Sequence, residues 1–316
     1  MLLGRYKAMP WHILGAGSLG CLWAARLAAQ QQPVYLLLRN AAALQRYQQT
    51  QGIALSDAQR QHTQHFAVAA QLANQPQPIQ RLLLACKAYD AEAAITAVAH
   101  RLTADSQVIL LQNGLGSQQA VQALLPKVRC IAASSTEAAY LAAPFHSVFA
   151  GQGETWLGDL QTPTLPAPTA LLNSCAAAGI PCNWSNQIST KLWRKLAINC
   201  AINPLTVIHN CLNGALKNHP EHINVLCDEL QLLLRSAGQA SAAEALHDVV
   251  WSVIAKTAAN SSSMRQDVLH QRRTEISYMT AFACQQSQAL GCYTPALDAL
   301  HAQLKSVLQQ QGLVTV

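Results

Sequence analysis

The sequence has few charged residues, few aromatic residues and no long apolar run. Of its 316 residues, 11% are charged and 5% are aromatic, whereas 51% are hydrophobic. This composition excludes an intrinsically disordered chain, and no window reaches the roughly 18 uninterrupted apolar residues of a membrane-spanning helix. We therefore expect a compact protein that does not span a membrane and is long enough for two domains.

Residue clusters that would indicate nucleic acid, metal or secretion are also missing. The net charge of +6 is modest, and no run of Lys and Arg interleaved with aromatic residues predicts nucleic-acid binding. The ten cysteines are scattered without CxxC spacing, which predicts reduced thiols in a cytoplasmic protein and no metal site. Arg5 and Lys7 precede no long apolar stretch, so we expect residues 1–8 to be an extension rather than a secretory signal.

A glycine-rich loop near the start of the chain predicts a dinucleotide-binding fold. A strand-like segment, Trp11–Leu14, runs directly into Gly15, Ala16, Gly17, Ser18, Leu19 and Gly20. A helical pattern over residues 21–30 and a buried strand over residues 33–39 follow. In this context the glycines allow a tight turn, close approach of a pyrophosphate to the backbone, and close packing of helix and strand. A tight turn without a ligand is the alternative.

The end of the second strand indicates which nucleotide binds. An NAD site places Asp or Glu about 20 residues beyond the glycine motif, to bond the ribose 2′-hydroxyl. Here the strand ends in Arg39-Asn40, and the next carboxylate is Asp57. Because an arginine fork can pair with a 2′-phosphate, the sequence favours NADP(H) over NAD. The alternative is an arginine that is exposed at the end of a strand and binds no cofactor.

Two further polar residues follow strand-like runs. Lys87 comes after the run at residues 79–85, and Asn113 comes after the run at residues 108–111. Ligands of doubly wound sheets bind at the carboxyl ends of the strands. The lysine can reach a phosphate or ribose there, and the asparagine can bond a carboxamide, a ribose or a substrate oxygen. Solvent-facing loop residues are the alternative.

Strand patterns end near residue 185. The sequence therefore predicts an α/β domain over residues 1–185 and an all-helical domain over residues 186–316. In the first domain we expect short antiparallel strands at 145–149 and 154–158 that close the sheet, and an edge strand at 180–184. In the second domain the patterns predict helices over 188–203, 223–237, 242–259, 266–290 and 295–311.

The first helical pattern carries three polar residues at four-residue spacing. Lys195, Asn199 and Asn203 fall on one helix face, whereas their neighbours are almost all apolar. Burial of an unpaired ammonium or amide is costly, so the stripe fits a helix that faces a cleft holding a polar ligand. Core polar groups satisfied by neighbouring backbone would explain the same pattern.

A cluster of three serines at residues 261–263 separates two helical patterns. Ser263, with Gln266 three residues later, fits a capping box. An N-cap serine can also present its hydroxyl and nearby N–H groups to an anion, although a plain helix start is the alternative. Glu275 comes three turns later, within the pattern at residues 266–290, where a solvated glutamate is the default expectation.

The order of these motifs and the residues within them resemble those of the 2-dehydropantoate 2-reductase (ketopantoate reductase) family. The resemblance spans nearly the whole chain and is most specific over residues 192–206, LWRKLAINCAINPLT, and 210–214, NCLNG. It implies an N-terminal Rossmann-type domain and an all-α C-terminal domain like that of 6-phosphogluconate dehydrogenase, closing over the cleft. The implied reaction is NADPH-dependent reduction of ketopantoate to (R)-pantoate, a step in pantothenate and coenzyme A biosynthesis.

The resemblance also implies a role for each motif residue. Lys195 would be the general acid. The substrate would be bound by Asn113, Lys195, Asn199, Asn203, Asn213 and Ser263. NADP(H) would contact Gly15, Ala16, Gly17, Ser18, Leu19, Gly20, Arg39, Lys87, Asn113, Ala139 and, at the nicotinamide end, Glu275. One departure is Asp90, where some members have glutamine; a carboxylate does not help to bind phosphate, so we expect it to point away.

Two other classes of function remain open. The first is a reductase of another 2-keto acid, or a related β-hydroxyacid or glycerol-3-phosphate dehydrogenase; the spacing of Asn199 and Asn203 favours ketopantoate. The second is a catalytically silent NADP-binding sensor, which would need none of Lys195, Ser263 and Glu275. The expected partner is a small 2-keto acid, with no nucleic acid and no membrane, and the expected assembly is a monomer or a homodimer.

Overall fold

The computed structural model describes residues 9–58 and 62–315, so the expected extension at residues 1–8 lies outside the described residues. The chain divides into two compact units. The first unit consists of the described residues up to Gln112 and of Ser117–Ile188. The second unit consists of Asn113–Gly116 and of the described residues from Ser189 onward. None of the described helices is long and apolar enough to cross a membrane.

The first unit contains the strands and five helices. The strands are β1 (Trp11–Leu14), β2 (Val34–Leu38), β3 (Ile53–Asp57), β4 (Thr63–Phe66), β5 (Ala69–Leu72), β6 (Ile79–Leu84), β7 (Leu102–Leu110), β8 (Arg129–Ser135), β9 (Ala138–Ala143), β10 (His146–Gly151), β11 (Thr155–Asp159) and β12 (Cys182–Trp184). The helices are α1 (Ser18–Ala29), α2 (Ala41–Gln48), α3 (Ala91–Val98), α4 (Ser117–Leu124) and α5 (Thr169–Ala177).

Eight of these strands form one twisted, mostly parallel sheet in the order β12-β11-β8-β7-β6-β1-β2-β5. β1 and the last residues of β6 (Leu82–Leu84) and β7 (Val108–Leu110) are mostly apolar and buried, because a parallel sheet is covered on both faces. Trp11, Ile13 and Leu83 are fully buried there. The predicted α/β, Rossmann-type fold of the N-terminal half is confirmed.

The sequence predicts that the short strands near the end of this unit close the main sheet, but only some of them do. β11 pairs antiparallel with β8 in that sheet, and β12 lies at its edge. β10 instead belongs to a second sheet of order β4-β3-β10-β9, where it is antiparallel to β9 and parallel to β3. The prediction is therefore wrong for residues 145–149, because pairing partners far along the chain decide which sheet a short strand joins.

The second unit is helical, as predicted. Its helices are α6 (Ile188–Ile208), α7 (Pro220–Ser236), α8 (Ala240–Ala243), α9 (Leu246–Lys256), α10 (Ser263–Leu269), α11 (Thr280–Ala289) and α12 (Pro295–Gln310). α6 begins at the last residue of the first unit and runs five residues beyond the predicted end, through Pro204. The pattern at residues 242–259 divides into α8 and α9 at Ala245, whose φ of 51° is left-handed.

The continuous helix predicted over residues 266–290 is wrong. α10 ends at Leu269, because Gln271 adopts a left-handed φ of 53°. The Gln271 N–H donates to the Val268 carbonyl at 3.0 Å, and the Arg272 N–H donates to the Asp267 carbonyl at 2.8 Å. These two bonds form a Schellman ending, which normally has glycine at the left-handed position. Glu275 therefore lies between helices, immediately before a 3₁₀ turn at Ile276–Tyr278.

Candidate active site

The glycine loop of the first unit has the shape that a nucleotide pyrophosphate requires. Gly15 has a φ of +118°, and a Cβ there would lie 2.4 Å from the Cys86 backbone nitrogen. A Cβ on Gly20 would lie 2.0 Å from the Gly15 carbonyl oxygen. Only glycine fits at either position, so the loop and α1 pack closely, as a dinucleotide-binding turn does.

The start of α1 leaves its N–H groups available to an anion. Gly17 is the N-cap residue, and the first turn, which begins at Ser18, contains no acidic side chain. Unpaired N–H groups and the helix dipole both favour a phosphate at such an end. The residues present therefore fit a dinucleotide, with Ala16 and Leu19 partly buried beside the loop.

Arg39 follows the last residue of β2 and is exposed. Its neighbour Asn40 is the N-cap of α2, where Oδ1 accepts a hydrogen bond from the Ala43 N–H at 2.8 Å. Capping fixes the backbone next to the arginine. β1 and β2 pair in parallel, so Arg39 lies at the same edge of the sheet as the glycine loop, where a 2′-phosphate would be expected.

Two other predicted cofactor residues lie in different places. Lys87 follows β6, is partly buried and precedes a 3₁₀ turn at Ala88–Asp90, at the sheet edge shared with the glycine loop. Ala139 lies on β9 of the second sheet, opposite Phe149, and is partly buried. Asp90, the residue that departs from the family pattern, is exposed.

Asn113 belongs to the second unit, although it follows β7 after only two residues. The segment Asn113–Gly116 is held against the 3₁₀ turn of that unit, where the Leu115 N–H donates to the Tyr278 carbonyl at 2.9 Å. Gly114 has a φ of +78°, and a Cβ there would lie 2.0 Å from the same carbonyl oxygen. This close contact fixes the backbone that carries Asn113.

Three of the predicted site residues are joined by hydrogen bonds. The Lys195 Nζ of α6 donates to Asn113 Oδ1 at 2.8 Å. The Asn113 Nδ2 donates to Glu275 Oε2 at 3.4 Å. The asparagine amide thus lies between an ammonium and a carboxylate, with each end of its dipole facing the opposite charge. Glu275 is buried, with 3% of its surface exposed, so the sequence-based expectation of a solvated glutamate is wrong.

The environment of Lys195 makes its ammonium a better proton donor than an exposed lysine. Burial lowers the pKa of Lys195 to about 8, because desolvation penalises the charged form. Glu275 acts in the opposite direction and raises the same pKa by Coulombic attraction. The lysine is therefore poised to give up a proton near neutral pH, which is the range useful for general acid catalysis.

The other residues of the polar stripe continue along α6. Asn199 is partly buried and Asn203 is buried. The Asn203 Nδ2 donates to the Met279 Sδ at 3.9 Å, which is a weak partner for an amide. The stripe predicted from the sequence therefore lies on one long helix, and the amide of Asn203 keeps hydrogen-bonding capacity for another group.

Ser262, rather than the predicted Ser263, is the N-cap of α10. Its Oγ accepts a hydrogen bond from the Arg265 N–H at 3.1 Å and lies 2.6 Å from the Thr206 Oγ1. Ser262 is buried, whereas Ser263 is the first helical residue and is exposed. The capping box is wrong by one residue, because consecutive serines offer the same signal at each position. Ser262 and Thr206, which the sequence analysis did not select, join α10 to α6.

Asn213 is the first residue of a 3₁₀ helix, Asn213–Asn218, that follows α6, and it is buried. Its Nδ2 donates to the Thr257 Oγ1 at 2.8 Å, and its N–H donates to the Asn260 carbonyl at 3.0 Å. Its Oδ1 is buried and has no hydrogen-bond partner within the described residues. Because buried polar atoms are normally paired, this oxygen is a candidate acceptor for a substrate hydroxyl.

Two family models match consecutive parts of the chain. Ketopantoate reductase PanE/ApbA matches residues 11–162, and Ketopantoate reductase PanE/ApbA C terminal matches residues 187–308. The chain belongs to the ketopantoate reductase family. The family and the oxidoreductase class predicted from the sequence are thus confirmed, and NADPH, the predicted cofactor, is the cofactor that this family uses.

Relatives in the ketopantoate reductase family match over most of their length. A 2-dehydropantoate 2-reductase from Vibrio cholerae is 34% identical, over 94% of this chain and 97% of its own. One from Escherichia coli O157:H7 is 30% identical, over 93% of each chain. The crystal structure of a PanE/ApbA family ketopantoate reductase from Ralstonia eutropha has a TM-score of 0.85 at 25% identity, covering 96% of this chain and 100% of that one.

The same fold also occurs in a more distant dehydrogenase. D-mandelate dehydrogenase with NADH and anilino(oxo)acetate has a TM-score of 0.86, covering 96% of this chain and 100% of that chain. At 19% identity this likeness shows a shared fold alone.

Proposed function

We propose that this ketopantoate reductase family member reduces the ketone of 2-dehydropantoate to (R)-pantoate with NADPH, using Lys195 as the proton donor. The observation that carries the proposal is the hydrogen-bonded series Lys195, Asn113 and Glu275. It places a partly desolvated ammonium, with a lowered pKa, on a helix whose next turns carry Asn199 and Asn203. An ammonium that can donate a proton, beside uncharged amides that can bind the carboxylate and hydroxyl, is the set of groups that a 2-keto acid site needs.

Reduction of a ketone adds a hydride to carbon and a proton to oxygen. NADPH, when bound at the glycine loop and Arg39, supplies the hydride. As the hydride is transferred, negative charge develops on the former carbonyl oxygen, and a nearby ammonium stabilises it. Lys195 supplies both that positive charge and the proton, so the product is the neutral alcohol and the lysine is left as the free amine.

Asn113 keeps the ammonium in place for this transfer. Its Oδ1 accepts one of the three N–H groups of Lys195, and its amide is itself held by Glu275. The remaining N–H groups of the lysine can turn to the substrate oxygen. A single anchored partner therefore orients Lys195 without cancelling its charge.

The asparagines complete the substrate site in this proposal. Asn199, Asn203 and the unpaired Oδ1 of Asn213 can bond the carboxylate and hydroxyl of the substrate without adding charge. Neutral partners leave the pKa of Lys195 in its lowered range. Ser263, exposed at the first turn of α10, would hold the substrate carboxylate through its hydroxyl.

Measurement of NADPH oxidation with ketopantoate and a panel of other 2-keto acids tests the substrate. The highest kcat/KM is expected with ketopantoate, and a clearly better keto acid would overturn the assignment.

Lys195→Ala tests the proton donor. It is expected to lower kcat by about 10²-fold or more, since loss of a general acid lowers the rate roughly 10²–10⁴-fold. Lys256→Ala, at an exposed position at the end of α9, is the matched control. Near-normal turnover in Lys195→Ala would exclude the proposed role.

Two broader features belong to the same proposal. The enzyme would act in the cytoplasm, which is consistent with ten cysteines that are all free thiols. It would act as a monomer or a homodimer, and light scattering of the purified protein distinguishes the two.

A further inference from the structure

Three histidines of the second unit lie together where α6 is connected to α7. His209 directly follows α6, His219 is the N-cap of α7, and His222 lies in the first turn of α7. One ring nitrogen from each histidine lies within 4.8 Å of those of the other two. Three neighbouring imidazole nitrogens are a donor set that Zn²⁺, Ni²⁺ and Cu²⁺ favour.

The three rings are stacked with nearly parallel planes. The rings of His209 and His219 are stacked, with centroids 3.8 Å apart and planes 11° apart. The centroid of His222 lies 6.1 Å from that of His219. Burial lowers the pKa of His209, and the two neighbouring histidines lower that pKa further. The three rings form one stacked group at the connection between α6 and α7.

One buried ring nitrogen of this cluster makes no hydrogen bond within the described residues. The Nε2 of His209 is buried and has no hydrogen-bond partner within the described chain. His219 occupies an N-cap position, but its side chain makes no capping hydrogen bond. Buried polar atoms are almost always paired. An ion shared by the three rings would satisfy the unpaired nitrogen of His209.

The backbone on both sides of the cluster is fixed by regular structure. The His209 N–H donates to the Leu205 carbonyl at 2.9 Å, which continues α6. Pro220 occupies the first turn of α7, and the Ile223 N–H donates to the His219 carbonyl at 3.3 Å. His219 and His222 are three residues apart and share a helix face. Imidazoles at about 2.1 Å from a tetrahedral ion have nitrogens about 3.4 Å apart, so the present separations of up to 4.8 Å would shorten on binding.

We propose that His209, His219 and His222 bind one divalent transition-metal ion of the Zn²⁺ class. The ion would close the connection between α6 and α7, which contains Asn213. Because His222 is exposed, the fourth coordination position is open to water. The sequence predicts no metal site, because histidines at positions 209, 219 and 222 match no short metal-binding motif and come together only in the fold.

Zinc binding to untagged, chelator-treated protein tests the proposal by a readout that is independent of catalysis. Isothermal titration with Zn²⁺ is expected to give one ion per chain for the unmodified protein. His222→Gln, chosen because its exposed position tolerates substitution, is expected to weaken binding by about tenfold or more, as loss of ligands or their supporting groups does. His270→Gln, an exposed histidine after α10, is the matched control and should bind normally.

Two further measurements separate this site from the cysteines. Co²⁺ bound by nitrogen ligands gives visible d–d absorption without a thiolate charge-transfer band, which is the result expected here. The same excess of Zn²⁺ should raise the Tm of the unmodified protein and of His270→Gln by similar amounts, and that of His222→Gln by clearly less. Absence of stoichiometric uptake, a thiolate band, or equal affinity in His222→Gln would each overturn the proposal.

Discussion

Glu275→Gln is expected to move the pH dependence of catalysis without removing the proton donor. Lys195 must be protonated to act as the general acid, so kcat/KM for ketopantoate should fall as the pH rises through the lysine pKa. That pKa is lowered to about 8 by burial and is raised by the Glu275 carboxylate. Removal of the carboxylate charge takes away the raising effect, and the fall in activity should occur at lower pH.

The size of the displacement follows from the hydrogen bonds that link the two charges. Lys195 Nζ lies 2.8 Å from Asn113 Oδ1, and Asn113 Nδ2 lies 3.4 Å from Glu275 Oε2. Across the amide, whose oxygen and nitrogen are about 2.3 Å apart, the two charged atoms are therefore at most about 8.5 Å apart. At an effective dielectric constant of about 20, such a pair interacts by about 2 kcal/mol. This energy corresponds to a lowering of the lysine pKa by about 1.5 pH units.

The assay is the pH profile of kcat/KM for ketopantoate between about pH 5.5 and 9.5 at saturating NADPH, a range chosen to bracket both expected inflections. Saturation matters because Glu275 is also proposed to contact the nicotinamide end, so its loss can raise the KM for NADPH. Glu92→Gln, an exposed position on α3, is the matched control and should keep the original profile. An unchanged inflection in Glu275→Gln, or a displacement to higher pH, would refute the electrostatic coupling of Lys195 and Glu275.

Three further outcomes follow from the cofactor and serine sites. Arg39→Ala should raise the KM for NADPH about tenfold or more, because a charge-assisted pair with the 2′-phosphate is lost. The KM for NADH should change little, and equal effects on both KM values would mean that Arg39 does not contact the 2′-phosphate. Ser262→Ala should lower the free energy of unfolding by about 1 kcal/mol through loss of the N-cap. Ser263→Ala should leave the Tm nearly unchanged and raise the KM for ketopantoate, and thermal melts with steady-state kinetics distinguish the two serines.

The main sheet was predictable because its strands carry a strong local signal. Central parallel strands are buried on both faces and read as apolar runs, and β1, β2 and β6 were found within a residue or two of their bounds. Two strands of the second sheet, β4 and β9, carry little of this signal. β4 is almost entirely exposed and β9 has no buried residue, so their sequences do not differ from those of loops.

Helix ends were less predictable when a residue other than glycine took a left-handed conformation. Gln271 and Ala245 both have positive φ, and each separates two helices that the apolar pattern joins. The energy for such a conformation in a residue with a Cβ comes from tertiary structure, in which Thr274, Glu275 and Ile276 are buried beyond the break. The local pattern of apolar and polar residues does not show which residues the tertiary structure buries, so it could not predict these helix ends.

The sequence identified Lys195, Asn113 and Glu275 as separate motif residues, but it did not predict that they contact one another. The hydrogen bonds join residues 82 and 162 positions apart, and such contacts depend on packing rather than on local pattern. The deciding feature is Gly114, whose missing side chain lets the segment after β7 contact the Tyr278 carbonyl. Tyr278 is three residues from Glu275, so that backbone contact brings Asn113 to the carboxylate. A side chain at position 114 would therefore disturb the lysine without touching it.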